Sequence, residues 1–273
     1  MNRLADGTIE LTITIPWAYV AKTYDAVVDE AVKNAELQGF RKGKAPRELV
    51  LKNLDKTKLY EESLKTLIPQ TYNQAITEQK LKPIISPKVE LKEANEGKDW
   101  IIQMRTFEKP TLTLGDYKKA IEGLKGPKIW KPGDDNKKEN KPKLDELLHA
   151  LYGTVTTTLP SLLIEHEVNR LLSDLIDQTK KLGLSVEQYL ASTNRTAESI
   201  RHEYEEQAKR TLTLEFALEE IADKDGIIIS DDDIDTVINT AKTDEEKKAL
   251  GSQRYYLASI LRRQKTLDTL ASL

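Results

Sequence analysis

The sequence predicts an N-terminal α+β domain followed by an all-α domain, an elongated two-domain molecule with a polar connector between the halves. Three observations carry this. Residues 8–15 alternate apolar and polar positions with β-branched side chains, the period-2 signature of a half-buried strand, and helical spacing follows at once. Residues 116–143 hold almost no apolar side chain after Trp130. From residue 144 onward the apolar residues recur at three- and four-residue spacing. A length of 273 residues suits two domains better than one, and 32% charged against 6% aromatic residues points to solvated helix faces and a thin core.

In the first domain, about 1–115, the strand at 8–15 ends at Pro16, a residue suited to the first turn of a helix. Val20, Tyr24, Val27, Val28, Ala31 and Ala35 then pace an amphipathic helix from Trp17 to about Leu37. Gly39–Pro46 interrupts it. Helices are expected at about 46–54 and 57–79, the second paced by Leu64, Leu67, Ile68, Tyr72 and Ile76, with Pro69 able to kink it. Strands near 87–93 and 99–107, with a turn at Asn95–Lys98, complete the unit.

The connector, 116–143, cannot bury enough surface to offset its ordering entropy, so a flexible basic linker is expected. In the second domain, 144–273, helices are predicted at about 160–182, 185–192 and 196–224. A fourth is opened by Ser230 with Asp233, and a last one spans 244–272. Ile164, Val168, Leu171 and Leu175 form the seam of the first. Net charge runs from +2 over 1–115 through +4 in the connector to −9 over 144–273, so the halves are expected to meet different partners.

Several chemistries are disfavoured. There is no cysteine, hence no disulfide or thiolate metal site, and three histidines leave little for a His-rich one. No cofactor, metal or catalytic residue is expected. No apolar run approaches the ~20 residues of a bilayer span, and no charged-then-apolar leader opens the chain, so a cytoplasmic protein without a membrane partner is expected. Asp231–Asp235 resembles a calcium loop only superficially: Thr236 stands where the loop needs glycine, and helix capping explains the acids better. Gly123-Leu-Lys-Gly-Pro127 lacks the Gly-Lys-Ser/Thr of a phosphate loop. His166, between Glu165 and Glu167 on a helix, fits a solvent-facing ion pair better than a ligand, and no Ser–His–Asp set stands out.

The richest local signal is Gly39-Phe40-Arg41-Lys42-Gly43-Lys44-Ala45-Pro46-Arg47. Its four cations stand without an acid, two glycines and a proline keep it out of helix, and an aromatic sits among the charges. Arg41, Lys42 and Lys44 suit phosphates or carboxylates while Phe40 inserts or stacks. A solvated turn with Phe40 folded into the core is the equal alternative on these grounds.

Gly-Phe-Arg-x-Gly-Lys-x-Pro resembles the signature of the trigger factor family, ribosome-associated bacterial chaperones, and Gly39, Phe40, Arg41, Gly43, Lys44 and Pro46 fill its six fixed positions. Ile9–Pro16, Leu59-Tyr60-Glu61, Leu81–Pro87, Pro110–Tyr117, Leu159–Val168 and Glu206–Arg210 resemble further segments of that family, in its order. The resemblance implies a ribosome-binding α+β domain and a helical substrate-binding domain. It implies an ATP-independent chaperone whose partners are the large ribosomal subunit near the exit tunnel and nascent or unfolded polypeptides. Phe40, Arg41 and Lys42 take the ribosome-contact positions, with Gly39, Gly43, Lys44 and Pro46 completing the loop.

Two departures accompany it. The family carries a prolyl-isomerase domain of the FK506-binding type, on the order of 100 residues, between these parts. Here Tyr117 and Leu159 are too close to enclose one, so that domain is expected to be absent and the chain not to be an enzyme. The family also has another strand's worth of residues before Thr8, so the start looks short. The alternatives are a ribosome-independent holdase of the periplasmic helical-cradle kind, a residual prolyl isomerase and a nucleic-acid binder. A homo-oligomer is left open.

Overall fold

The computed structural model describes residues 1–124 and 142–273, so most of the expected linker lies outside the described residues. The chain divides into two compact units: Met1–Lys109 with Pro160–Leu162, and Pro110–Leu159 with Leu163–Leu273.

The first unit is built on an antiparallel sheet of order β1-β2-β4-β3: β1 (Asn2–Arg3), β2 (Ile9–Ile15), β3 (Lys88–Glu93) and β4 (Trp100–Thr106). Register follows the alternation. Leu11, Ile13 and Ile15 stand opposite Met104, Ile102 and Trp100, which puts the apolar set of both strands on one face. That face is covered by α1 (Trp17–Asn34) and α3 (Lys56–Glu78), and Ile9, Val20, Leu67, Ile102 and Met104 are wholly buried between them. A short α2 (Arg47–Asn53) lies beyond α1 in sequence.

The helix ends have local causes. Pro16 takes the N-cap position of α1 rather than its first turn, and the Asp99 carboxylate accepts from Trp17 N at 2.8 Å in place of a capping side chain. Asp55 caps α3 by accepting from Thr57 N, and α3 runs on through Pro69. Tyr24, Tyr60 and Trp100 form a ladder of rings with centroids 4.7 and 5.5 Å apart. Buried Tyr72 hydrogen-bonds Thr106 Oγ1 at 3.1 Å, tying α3 to β4. The expected turn is present: Lys98 N donates to Asn95 O.

Asp6 joins the start of this unit to Ser161. Its carboxylate accepts from Thr8 N (3.0 Å), Thr8 Oγ1 (3.1 Å) and Ser161 N (2.8 Å), the last at the first residue of α6 (Ser161–Lys181). Burial works against the charge, but the hydrogen bonds from Ser161 and Thr8 outweigh it and lower the pKa from 3.8 to about 2. A carboxyl with a depressed folded-state pKa contributes stability above its unfolded value and loses it on acidification. Asp6→Ala is therefore expected to cost about 1–2 kcal/mol near neutrality. In urea titrations the difference from wild type should shrink as pH falls from 3.8 through about 2. A difference independent of pH would contradict this assignment.

Among the described residues the second unit is helical except for a two-stranded ribbon, β5 (Leu112–Leu114) paired with β6 (Val155–Thr157). Its helices are α4 (Tyr117–Glu122), α5 (Leu144–Thr154), most of α6, α7 (Val186–Ser192), α8 (Ala197–Lys224), α9 (Asp231–Asn239), α10 (Asp244–Gly251) and α11 (Arg254–Ser272). Tyr117 and Ile121 of α4 are buried with Leu147 and Leu151 of α5, Leu214, Leu218 and Ile221 of α8, and Leu270 of α11.

Three expectations are corrected here. The first domain was expected to reach 115, but residues from Pro110 onward belong to the second unit, because β5 pairs with β6 and α4 supplies two core side chains. For the same reason 116–122 is folded structure rather than linker. The single helix expected at 244–272 is two, broken at Ser252-Gln253: Gly251 and Ser252 are poor helix formers that close α10, and α11 restarts at Arg254. The Ser230–Asp233 capping box is formed, with Ser230 Oγ accepting from Asp233 N and Asp233 Oδ2 accepting from Ser230 N. Asp231 and Asp235 of the acidic run turn to Arg254, at 2.8 Å and 2.5 Å.

Candidate functional site: a cationic loop and an apolar groove

The loop between α1 and α2 is held by its backbone. Phe40 N donates to Leu37 O (3.0 Å), Lys44 N to Arg41 O (2.9 Å), and Gly43 N reaches back to Ala35 O (3.1 Å), so the segment closes on the end of α1. Gly39 and Gly43 have φ of +91° and +72°, where a side chain is strained. Space separates them. A Cβ at Gly39 would meet nothing within 4 Å, whereas one at Gly43 would stand 2.5 Å from Lys33 O. Ala45, 6% exposed, and Val50, 2% exposed, anchor the far side, and Pro46 takes the N-cap position of α2.

What the loop presents is set by its ion pairs. Arg47 is bound to α1 through Asp25 (2.7 Å) and Asp29 (3.5 Å) and serves the fold. Lys42 Nζ lies 3.4 Å from Glu36, both well exposed, a pairing too solvated to be worth much. Arg41 and Lys44 are exposed and have no ion pair among the described residues. Phe40 is 44% exposed, so its ring is at the surface rather than folded back into the core. The structure thus brings Phe40, Arg41, Lys42 and Lys44 together on one exposed loop, with Gly39, Gly43 and Pro46 shaping it. Such a surface suits an anionic partner that also offers a crevice or a stacking face.

Gly43→Ala must displace the Lys33 carbonyl or open the loop, while Gly39→Ala meets only backbone strain of about 1–2 kcal/mol. Limited trypsin digestion is expected to cut at Arg41, Lys42 and Lys44 markedly faster in Gly43→Ala than in Gly39→Ala. Equal rates would mean that the close approach to α1 does not hold the loop.

A second surface in the helical unit was not located by periodicity. Ile228 is 76% exposed, Tyr255 91%, Tyr256 60% and Ile260 44%. Ile228, Tyr255, Phe216 and Ala258 line a groove of about 530 Å³ between α8, α11 and the segment 227–229. That segment is fixed from α11: Arg262 donates to Ile227 O (2.8 Å) and to Asp223 (2.6 Å), and Lys265 donates to Ile228 O (3.2 Å). Arg263 pairs with Glu215 across the rim at 2.9 Å. These charges are partnered, and the groove sets apolar side chains beside them. A signal for it was present: Ile227-Ile228-Ile229 falls outside any helical period, and adjacent Tyr255 and Tyr256 cannot both face a core.

Comparison with known proteins shows the family. Residues 1–130 match the family model described as bacterial trigger factor protein, and 134–272 match that of the bacterial trigger factor protein C-terminus. Only residues 131–133 fall between the two. A relative named trigger factor from Geobacillus thermodenitrificans is 36% identical over 133 residues, 49% of this chain and 30% of the relative. One of the same name from Staphylococcus aureus is 36% identical over 108 residues, 40% of this chain and 25% of the relative. The matched segments thus span less than a third of these relatives' length. A solved structure from work on promiscuous substrate recognition in folding and assembly activities of the trigger factor chaperone superposes with a TM-score of 0.65. The match covers 99% of this chain and 98% of that one at 15% identity, a likeness of fold.

Proposed function

The chain belongs to the trigger factor family, and on that premise we propose that it is an ATP-independent chaperone that docks at the ribosomal exit tunnel and holds nascent or unfolded polypeptide. The observation that carries the docking half is the exposed Phe40 among Arg41, Lys42 and Lys44 on a backbone-fastened loop. Ribosomal RNA and acidic protein surfaces attract the cations, and the ring adds a contact that charge alone does not supply. Gly39, Gly43 and Pro46 act by shaping the loop. The holding half rests on the groove beside Ile228 and Tyr255, whose apolar area suits short hydrophobic stretches of any sequence. At roughly 25 cal/mol per Å² before ordering costs, each such contact is weak and reversible, as a holding function requires.

The charge distribution fits this division of labour. The acidic half, at −9, is repelled by ribosomal RNA and stays free for clients while the mildly basic half docks. Both partners are met in the cytoplasm. Among the described residues no helix is long and apolar enough to cross a membrane. Co-sedimentation of the full chain with ribosomes tests the docking half, and suppression of aggregation of a chemically denatured protein tests the holding half.

Prolyl isomerase activity is not part of the proposal, since the two matched family regions all but abut. In a protease-coupled assay on a proline-containing peptide the full chain is expected to leave the uncatalysed rate unchanged, within about twofold. Acceleration that an FK506-type ligand inhibits would overturn this.

A further inference from the structure

Two walls of the groove beside Ile228 and Tyr255 continue into one excursion of the chain. The segment 227–229 forms the first wall, Tyr255 opens the second, and residues 230–253 leave from one and return at the other. That excursion is α9 and α10, which pack on each other and on α11. Their hold is slight. Ile234 is the one buried side chain of α9, α10 has none, and Val237, Ile238 and Leu250 are half-buried. Helices of nine and eight residues are marginal alone in water, so α9 and α10 depend on their seat for structure.

The seat on α11 has an apolar part and an ionic part. Arg254, Leu257 and Leu261 share one face of the helix by their spacing, next to the face that Ala258 and Arg262 turn to the groove. Leu257 is buried and Leu261 half-buried. Arg254 pairs with Asp231 and Asp235, which stand one turn apart on α9. All three side chains are largely solvated, which makes the pairing a soft latch. The wall at 227–229 is fastened independently of it, since Arg262 donates to Ile227 O and Lys265 to Ile228 O. Thus α9 can leave α11 while the groove keeps its wall.

We propose that α9–α10 is a flap over a second apolar strip of α11, latched by Arg254 through Asp231 and Asp235, and that an unfolded polypeptide entering the groove displaces it. Lifting the flap adds Leu257 and Leu261 to the apolar surface of Ile228, Tyr255 and Ala258. With no client present the strip stays covered, which spares the chain a wide apolar face. The latch also sets affinity. For a client that needs the open form, the apparent dissociation constant is the intrinsic one divided by the open fraction. A change that favours opening therefore tightens binding by the same factor, and the client must in turn promote opening. The inference rests on the chaperone reading and adds to it the regulation of the same groove.

The test is hydrogen exchange of the full chain, read by mass spectrometry on peptides from 231–251 and from α8. Reduced, alkylated α-lactalbumin serves as a permanently unfolded client. At saturation it is expected to speed exchange in 231–251 about threefold or more. Without client, Arg254→Ala should speed it about three- to tenfold, the worth of two exposed ion pairs, and should tighten client binding by the same factor. Exchanging the partners, Arg254→Asp with Asp235→Arg, should return both quantities toward wild type. Lys248 is an exposed side chain of α10 with no ion pair among the described residues, so Lys248→Ala removes the same charge and should change neither. Faster exchange without tighter binding, tighter binding without faster exchange, or an equal response to Lys248→Ala would overturn the proposal. So would faster exchange in α8 as well, which would make the ion pairs a fastening of the whole unit. If α-lactalbumin binds the wild type and 231–251 does not respond, the flap fails and the chaperone reading stands; if it does not bind at all, both fall.

Discussion

Replacing Phe40, Arg41 and Lys42 together by alanine is expected to abolish co-sedimentation with ribosomes while leaving the far-UV circular dichroism unchanged. All three side chains are exposed, and the bonds that close the loop are backbone bonds, so the fold has little to lose. A buried aromatic anchor in an interface is worth about 2 kcal/mol or more, and each released phosphate contact adds its own salt-dependent share, so a loss beyond a hundredfold is the scale expected. The ion pairs rank the single substitutions. Among the described residues Arg41 has no ion pair to give up on binding, whereas Lys42 faces Glu36 at 3.4 Å, so Arg41→Ala should weaken binding more than Lys42→Ala. Glu36→Gln should strengthen it a few-fold by removing the carboxylate that faces Lys42. Wild-type binding should fall steeply with added salt, because exposed charges are screened beyond about 8–10 Å. If the triple variant still pellets with ribosomes at physiological salt, the loop is not the docking surface.

The parts of this molecule that were legible in the sequence are those whose pattern exceeds the length needed to show a period. The alternation in β2, the long α3, α6 and α8, and the capping box at Ser230 fall close to where spacing put them, because each is decided by residues within one element. The cationic loop was legible for another reason: glycine, proline and charge in a short run leave few conformations open. What stayed hidden depends on contacts distant in sequence. Six residues of α4 and three each of β5 and β6 are too short to display a period, and Tyr117 and Ile121 become core only by meeting Leu151, Leu218 and Leu270. Whether Phe40 points out or in turns on its neighbours in space: it is 44% exposed while Ala45 and Val50 of the same segment are buried.

A fragment spanning 110–273 is expected to fold and melt cooperatively, and one spanning 144–273 is expected to melt about 10–20 °C lower or to lose fixed packing altogether. The shorter fragment is the one that a linker at 116–143 would recommend, so the comparison decides where the helical unit begins. Residues 110–122 supply it with Tyr117, 6% exposed, and Ile121, fully buried, both packed into the cluster of Leu147, Leu151, Leu214, Leu218, Ile221 and Leu270. They also supply β5, whose Leu112 and Leu114 stand opposite Thr157 and Val155, and a backbone bond from Gly115 N to Thr154 O at 2.8 Å. Removing two buried side chains costs about 2–5 kcal/mol each once the cavity is counted, and the ribbon's bonds go with them. The total is comparable with the 5–15 kcal/mol that holds a typical domain together. Equal melting of the two fragments would show that α4 and β5 are ornaments of the unit rather than part of its core. The distinction bears on function: a fragment that exposes Leu147, Leu151 and Leu270 would bind unfolded protein through its own broken core. Holding activity assigned to the groove beside Tyr255 must therefore be measured on a chain that begins no later than Pro110.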